Sequence, residues 1–162
     1  MKKNNLRIHA EYLCSLREDN IKFLCQSKTW FLDGTFSTSP NIFVQIFAIL
    51  GIRARAGRPD ETAPIPLVYA LLPSKSTDAY AKVLRVVRDV VSQFQIAQCV
   101  PSRIMSTFEL SIINACKTVH PTVPISCCFF HLGQTGTGEC KKKVYKQGTM
   151  IQVTALSKNT AT

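Results

Sequence analysis

Three apolar segments, separated by residues that favour turns, occupy the first half of the chain and predict three consecutive β-strands. They run from Trp30 to Phe36, from Phe43 to Ile52 and from Ile65 to Leu72. The turn Ser39-Pro40-Asn41 and a polar loop from Arg53 to Pro64 connect them. Strands joined in this way pair naturally with their neighbours in sequence, so we expect an antiparallel meander.

The rest of the chain alternates between helical and extended patterns. One apolar face at helical spacing predicts a helix that starts at Thr77, and a second helix is expected from Phe108 to Val119. Arg103 to Ser106 and Val123 to Phe130 are predicted strands. A short helix is expected before the meander, at 11–28. The order βββαβαβ is that of an α/β mixed sheet of the ribonuclease H-like type, with helices packed on it.

These patterns divide the chain into three parts. The expected parts are an N-terminal helical segment at 1–28, a ribonuclease H-like core at 29–134 and a basic, partly disordered tail at 135–162. With 162 residues, of which 46% are hydrophobic, the chain can bury a proper core.

Charge and cysteine usage indicate the partners and the compartment. The formal net charge of +10 favours a polyanion such as nucleic acid, although an ordinary basic protein is the alternative. No apolar run reaches the roughly 20 residues of a spanning helix, so no membrane is expected. Seven scattered cysteines predict reduced thiols and a nuclear or cytoplasmic protein that is not secreted.

Asp33 is the residue in the first predicted strand that carries chemistry. It lies in the segment Trp30-Phe31-Leu32-Asp33-Gly34-Thr35-Phe36. An ionised group inside a buried strand costs several kcal/mol unless a metal or a cation partners it. In the predicted topology a helical crossover brings the fourth strand of the core beside the Asp33 strand. A two-metal site needs several carboxylates, so a second carboxylate is expected on the fourth strand of the core.

Four separated segments together resemble the transposase domain of Mutator-like elements (MULE), a DDE/D-type family with a ribonuclease H-like fold. The resemblance extends over about residues 18–134. The four segments are SKTWFLDGTFSTSP, YALLPSKSTDAY, RIMSTFELSIINA and CCFFHLGQ.

The resemblance implies a site of three acids that bind Mg²⁺ or Mn²⁺ for DNA cleavage and strand transfer. Asp33 matches the first acid, a metal ligand. Thr107 stands where the family has the second Asp, and the third acid, a Glu beyond the Cys-x-x-His segment, has no counterpart before Thr162. The C-terminal part of the core is therefore expected to be truncated.

Other acids are weaker candidates for the missing ligands. Glu109 either stabilises a helix N-terminus or, less favourably, replaces the lost ligand. Glu139 fits a solvated loop better than the family's Glu. Cys128 and His131 match the family's Cys-x-x-His motif, and two ligands fall short of the four of a structural zinc site. We expect them to pack against or orient the site, with either Cys127 or Cys128 in the core.

Two basic clusters are candidate contacts for DNA phosphates, with solvated surface as the alternative. They are Arg53, Arg55 and Arg58 in one loop, and Lys141, Lys142, Lys143 and Lys146 in the tail.

Two functions remain open. The first is a transposase-derived domain with impaired catalysis, and the second is a non-catalytic DNA- or protein-binding module. Partners under either are DNA, a second copy of the chain or a full-length transposase. A third possibility is that the chain does not fold stably.

Overall fold

An eight-stranded mixed sheet with three α-helices forms the described part of the chain, in a computed structural model. The structure describes residues 4–9, 12–35, 42–55, 58–128 and 152–154. In chain order the elements are β1 (Asn4–His9), β2 (Tyr12–Arg17), α1 (Glu18–Gln26), β3 (Thr29–Thr35), β4 (Gln45–Arg55), β5 (Arg58–Leu72), α2 (Thr77–Gln93), β6 (Arg103–Ser106), α3 (Leu110–Val119), β7 (Ile125–Cys128) and β8 (Gln152–Thr154).

The strands lie in the order β1-β2-β5-β4-β3-β6-β7-β8. The predicted meander is confirmed, because β3 pairs antiparallel with β4 and β4 with β5. The predicted crossover is also confirmed, since α2 leads the chain to β6, which pairs parallel with β3. The broad class is therefore a mixed α/β sheet with helices packed on it, as the sequence predicted.

All three helices pack on the same face of the sheet. Trp30 points to that face, where its indole nitrogen donates to the carbonyl of Leu24 in α1 and its ring meets His120 at the end of α3 edge to face. Phe47, on the same face, contacts Tyr80 of α2 with the ring centroids 5.0 Å apart. The main hydrophobic core therefore lies between one face of the sheet and the helices.

α2 forms for local reasons that the sequence displays. The side chain of Ser76 caps its first turn by accepting from the backbone nitrogen of Ala79 at 3.2 Å. Asp78 adds a favourable negative charge at the N-terminus and pairs with Lys82 at 3.1 Å. The predicted helix start at Thr77 is confirmed.

The predicted helix at 11–28 is wrong in its first half, and the N-terminal segment at 1–28 is only partly helical. β1 and β2 join the sheet through an antiparallel pair of β2 with β5, and only Glu18–Gln26 is helical. Leu13 and Leu16 suited a helix by spacing. However, Cys14 and Leu16 are buried while Ser15 and Arg17 are exposed, which is the alternation of a strand.

Two other predicted boundaries are also wrong. The expected loop from Arg53 to Pro64 lies almost entirely in β4 and β5, whose pairing continues to Arg55 opposite Arg58. α3 begins at Leu110 rather than Phe108, after the extended residue Glu109. Within the predicted tail, Gln152–Thr154 form a strand parallel to β7, and the partial disorder of 135–162 stays a prediction.

A disulfide between Cys25 and Cys99 contradicts the prediction that the cysteines are reduced. It links the end of α1 to the loop before β6. Odd number and scatter argued against a framework of disulfides, but they do not exclude one bond between residues that the fold brings together. Cys14, Cys116 and Cys127 are buried thiols, and burial raises the pKa of Cys116 to about 12.

Reduction of this disulfide is predicted to lower the free energy of unfolding by about 4 kcal/mol, because the bond closes a loop of the unfolded chain. The separation of the two cysteines is 74 residues. Denaturant unfolding of the oxidised chain, of the reduced chain and of Cys25→Ala/Cys99→Ala measures the difference. Reductant should leave the double variant unchanged, and equal stability of the oxidised and reduced chains would contradict the prediction.

His120 is predicted to make the stability depend on pH. Burial, and to a smaller extent the charge of Arg88, lowers the pKa of His120 in the folded protein. The unfolded chain then binds a proton that the folded chain does not. The contribution is present above the ordinary histidine pKa of about 6.5 and is lost as the pH falls through the lower folded pKa.

Urea unfolding between pH 7.5 and pH 5 measures this dependence. His120→Phe keeps an aromatic ring against Trp30 and is expected to flatten the slope. Val123→Ala is the matched control, because it removes packing at a neighbouring buried site without removing a titrating group. An identical slope in wild type and His120→Phe would show that His120 does not contribute.

Candidate functional site

Asp33 lies on the face of the sheet opposite the described helices. In β3, Trp30 and Leu32 are buried under the helices, whereas Phe31 and Asp33 point the other way and are partly buried. Asp33 is paired across the sheet with Ala48. The sequence predicted a charge inside a fully buried strand. The structure places Asp33 on the less covered face, where the desolvation cost of the carboxylate is smaller.

The end of β6, which precedes position 107, lies beside the Asp33 strand, as the sequence predicted. Leu32 pairs with Ser106 in the parallel register of β3 and β6, and Ser106 is the last residue of β6. Neighbouring strands are about 5 Å apart, and the next residue of each chain points to the opposite face. Residues 33 and 107 each follow this last pair, so they lie at the same end of two neighbouring strands.

Thr107 is held by two hydrogen bonds and brings no charge to this pair. Its hydroxyl accepts from the backbone nitrogen of Glu109 at 3.4 Å. Its carbonyl accepts from the thiol of Cys127 in β7 at 3.7 Å. An Asp at this position would present an acceptor to the same backbone nitrogen, so the local backbone suits a carboxylate as well as a hydroxyl.

Glu109 is the N-cap residue of α3, but its side chain makes no capping hydrogen bond. Instead, one carboxylate oxygen accepts from the hydroxyl of Tyr80 at 2.6 Å. The carboxylate still lies near the N-terminus of α3, where a negative charge is favourable. Its second suggested role, replacement of the lost ligand, is not tested by this contact.

A buried hydrogen-bond chain, Gln45–Tyr80–Glu109, was missed by the sequence analysis. Tyr80 is fully buried, donates to Glu109 and accepts from the side-chain nitrogen of Gln45 at the start of β4. Burial, and then the bond to Glu109, raises the pKa of Tyr80, so its hydroxyl stays protonated and acts as the donor. The one available signal was Gln45, the single polar residue in a predicted apolar strand.

Gly34 leaves the space that Gln45 occupies. A Cβ atom added at Gly34 would lie 3.0 Å from the side-chain oxygen of Gln45. That oxygen is buried and accepts no hydrogen bond from the described residues. The glycine that follows Asp33 therefore lets an amide side chain lie against the backbone of β3.

The described residues do not include a cluster of three or more His, Cys, Asp or Glu side chains that could hold a metal ion. Asp33 is a suitable hard oxygen ligand, whereas the neutral hydroxyl of Thr107 is a poor one. The acids that the structure describes therefore do not fit a two-metal site.

Several predicted site residues are not tested by the structure. The backbone of Cys128 ends β7, but its side chain lies outside what is described, and so do Glu139 and His131. The same holds for the side chains of the two basic clusters. These are Arg53, Arg55, Arg58, Lys141, Lys142, Lys143 and Lys146. Of the candidate pair Cys127 and Cys128, Cys127 is in the core, fully buried against Phe108 and Ile113.

In the described residues, no helix is both long enough and apolar enough to cross a membrane.

A family model of the MULE transposase domain matches residues 29–135. The chain belongs to this family, which confirms the resemblance seen in the sequence. Membership implies a transposase-related function, and proteins of this family in general interact with DNA and depend on a divalent metal. Searches of curated proteins and of solved structures each found no match.

Proposed function

We propose that this domain is a ribonuclease H-like transposase domain in which metal-dependent cleavage and strand transfer of DNA are impaired. The observation that carries the proposal is the parallel pairing of β3 with β6, because Asp33 and Thr107 directly follow the last residue pair of these two strands. A carboxylate and a neutral hydroxyl stand where the family's chemistry requires two carboxylates.

The strand order supports the ribonuclease H-like part of the proposal. Three antiparallel strands are followed by two parallel ones, with β3 at the centre and β6 reached by the α2 crossover. The C-terminal ends of β3 and β6, which precede or include Asp33 and position 107, lie at the same edge of this sheet.

Electrostatics supports the loss of catalysis. Two divalent ions about 4 Å apart repel one another, and several carboxylate oxygens are needed to hold both. A threonine hydroxyl supplies a dipole but no charge. Replacement of the second Asp by Thr107 therefore removes much of the attraction that would hold metal ions beside Asp33.

The second candidate function is a binding module that retains the fold and an affinity for DNA without catalysis. The net charge of +10 favours it. On the outer face of α2, Lys82 and Arg85 both lie within 4 Å of Asp78, which reduces the positive charge available there. We therefore expect the DNA contacts at the two basic clusters defined above, Arg53, Arg55 and Arg58 in one and Lys141, Lys142, Lys143 and Lys146 in the other. We also propose that the domain acts inside the cell, where DNA is found.

Thr107→Asp is predicted to increase the affinity for Mn²⁺ or Mg²⁺ at least about tenfold. An added carboxylate close to a divalent ion contributes several kcal/mol even at an effective dielectric constant near 20. Isothermal titration calorimetry measures the affinity. Thr107→Asn is the matched neutral control, and Asp33→Asn in the Thr107→Asp chain is expected to remove the gain.

The same proposal predicts that the wild-type chain does not cut or join transposon-end DNA with either metal. Turnover by the wild-type chain that disappears in Asp33→Ala would contradict it.

The charge predicts a salt-dependent affinity for duplex DNA that Asp33→Ala leaves unchanged. Each neutralised phosphate lowers the slope of log K against log salt by about 0.9. Fluorescence anisotropy between 50 and about 200 mM salt measures this slope. Replacement of Lys141, Lys142 and Lys143 by Gln is expected to make the slope shallower. No binding even at the lowest salt would remove DNA as a direct partner of this domain.

A further inference from the structure

The chain Gln45–Tyr80–Glu109 connects three elements of the fold, β4, α2 and α3. Gln45 begins β4, Tyr80 lies in the first turn of α2, and Glu109 precedes α3. The hydroxyl of Tyr80 links the other two side chains. It accepts from the side-chain nitrogen of Gln45 and donates to a carboxylate oxygen of Glu109 at 2.6 Å.

This chain is linked to position 107 through the hydrogen bonds of Glu109. Glu109 is two residues after Thr107, and its backbone nitrogen donates to the side chain of Thr107 at 3.4 Å. Tyr80 holds the carboxylate of the same residue. When Tyr80 keeps Glu109 in place, it also fixes the hydrogen-bond donor that orients the side chain at 107.

Stability alone does not explain these polar groups. Gln45 is fully buried, and its side-chain oxygen accepts no hydrogen bond from the described residues. A buried acceptor without a partner is costly, whereas apolar side chains of similar shape in place of a buried polar pair are often neutral or stabilising. The hydrogen bond from Tyr80 instead holds the carboxylate of Glu109 in one orientation.

We propose that Tyr80, supported by Gln45, is a positioning residue for the side chain at position 107. The role of position 107 as a metal ligand rests on the proposed function, but the placement of its backbone does not. Two measurements therefore separate the two ideas.

The first measurement is hydrogen exchange of the wild-type chain and of Tyr80→Phe. Loss of the hydroxyl is expected to speed exchange of the backbone amides at 107–112 about tenfold, because a hydrogen bond to a charged group is removed. Val90→Ala is the matched control, since Val90 is buried on the same helix roughly 15 Å along its axis. It should reduce stability without a selective effect on 107–112.

Conservative replacement of Glu109 sharpens this test. Glu109→Gln keeps an oxygen that accepts from Tyr80, so exchange at 107–112 is expected to stay close to wild type. Glu109→Ala removes the acceptor and should resemble Tyr80→Phe. Exchange in Tyr80→Phe that rises equally in all strands, or that matches Val90→Ala, would show that Tyr80 is only a packing residue and would overturn the proposal.

The second measurement is the metal affinity of Thr107→Asp with and without Tyr80→Phe. The double variant is expected to bind Mn²⁺ about tenfold more weakly than Thr107→Asp, while Thr107→Asp/Val90→Ala should bind like Thr107→Asp. Equal affinity of all three would overturn the positioning role. If Thr107→Asp binds no metal, the proposed function fails, and hydrogen exchange alone decides whether Tyr80 positions the segment.

Discussion

The parallel pairing of β3 with β6 is the interaction on which the rest of this structure depends. It joins the antiparallel meander to the parallel half of the sheet and forces the chain to cross over through α2. That crossover buries α2 against Phe47 and gives the core its second layer. The same register ends at Leu32 and Ser106, the residues that precede Asp33 and Thr107, so the fold and the candidate site depend on one set of backbone hydrogen bonds.

Strong local patterns made most of this fold predictable. β3, α2 and β6 were expected from apolar runs, a cap and turn residues, and the crossover rule then placed β6 beside β3. The pairing of β2 with β5 was not predictable, because Leu13 and Leu16 satisfy helical spacing and the burial of Cys14 depends on a distant strand. The disulfide was missed for a similar reason: Cys25 and Cys99 are distant in the sequence, and only the fold brings them together.

The residues of the candidate site were likewise only partly predictable from the sequence. Asp33 and Thr107 were identified from motifs, and the topology then made them neighbours. Tyr80 and Gln45 were not identified as site residues, because neither is unusual in its own segment. Their role depends on hydrogen bonds that join three elements of the fold. Family membership is shown by residues 29–135. Under the proposed function, the neutral Thr107 in place of the family's Asp is what impairs the chemistry that membership implies.

The disulfide also has a topological consequence for the site. Cys25 and Cys99 close a covalent ring that contains Asp33, Gln45 and Tyr80, whereas Thr107 and Glu109 lie outside it. The residues of the site thus come both from inside the disulfide-closed loop and from the chain that follows it. Backbone pairing between β3 and β6, together with the bond from Tyr80 to Glu109, is what keeps the outer segment aligned with the ring.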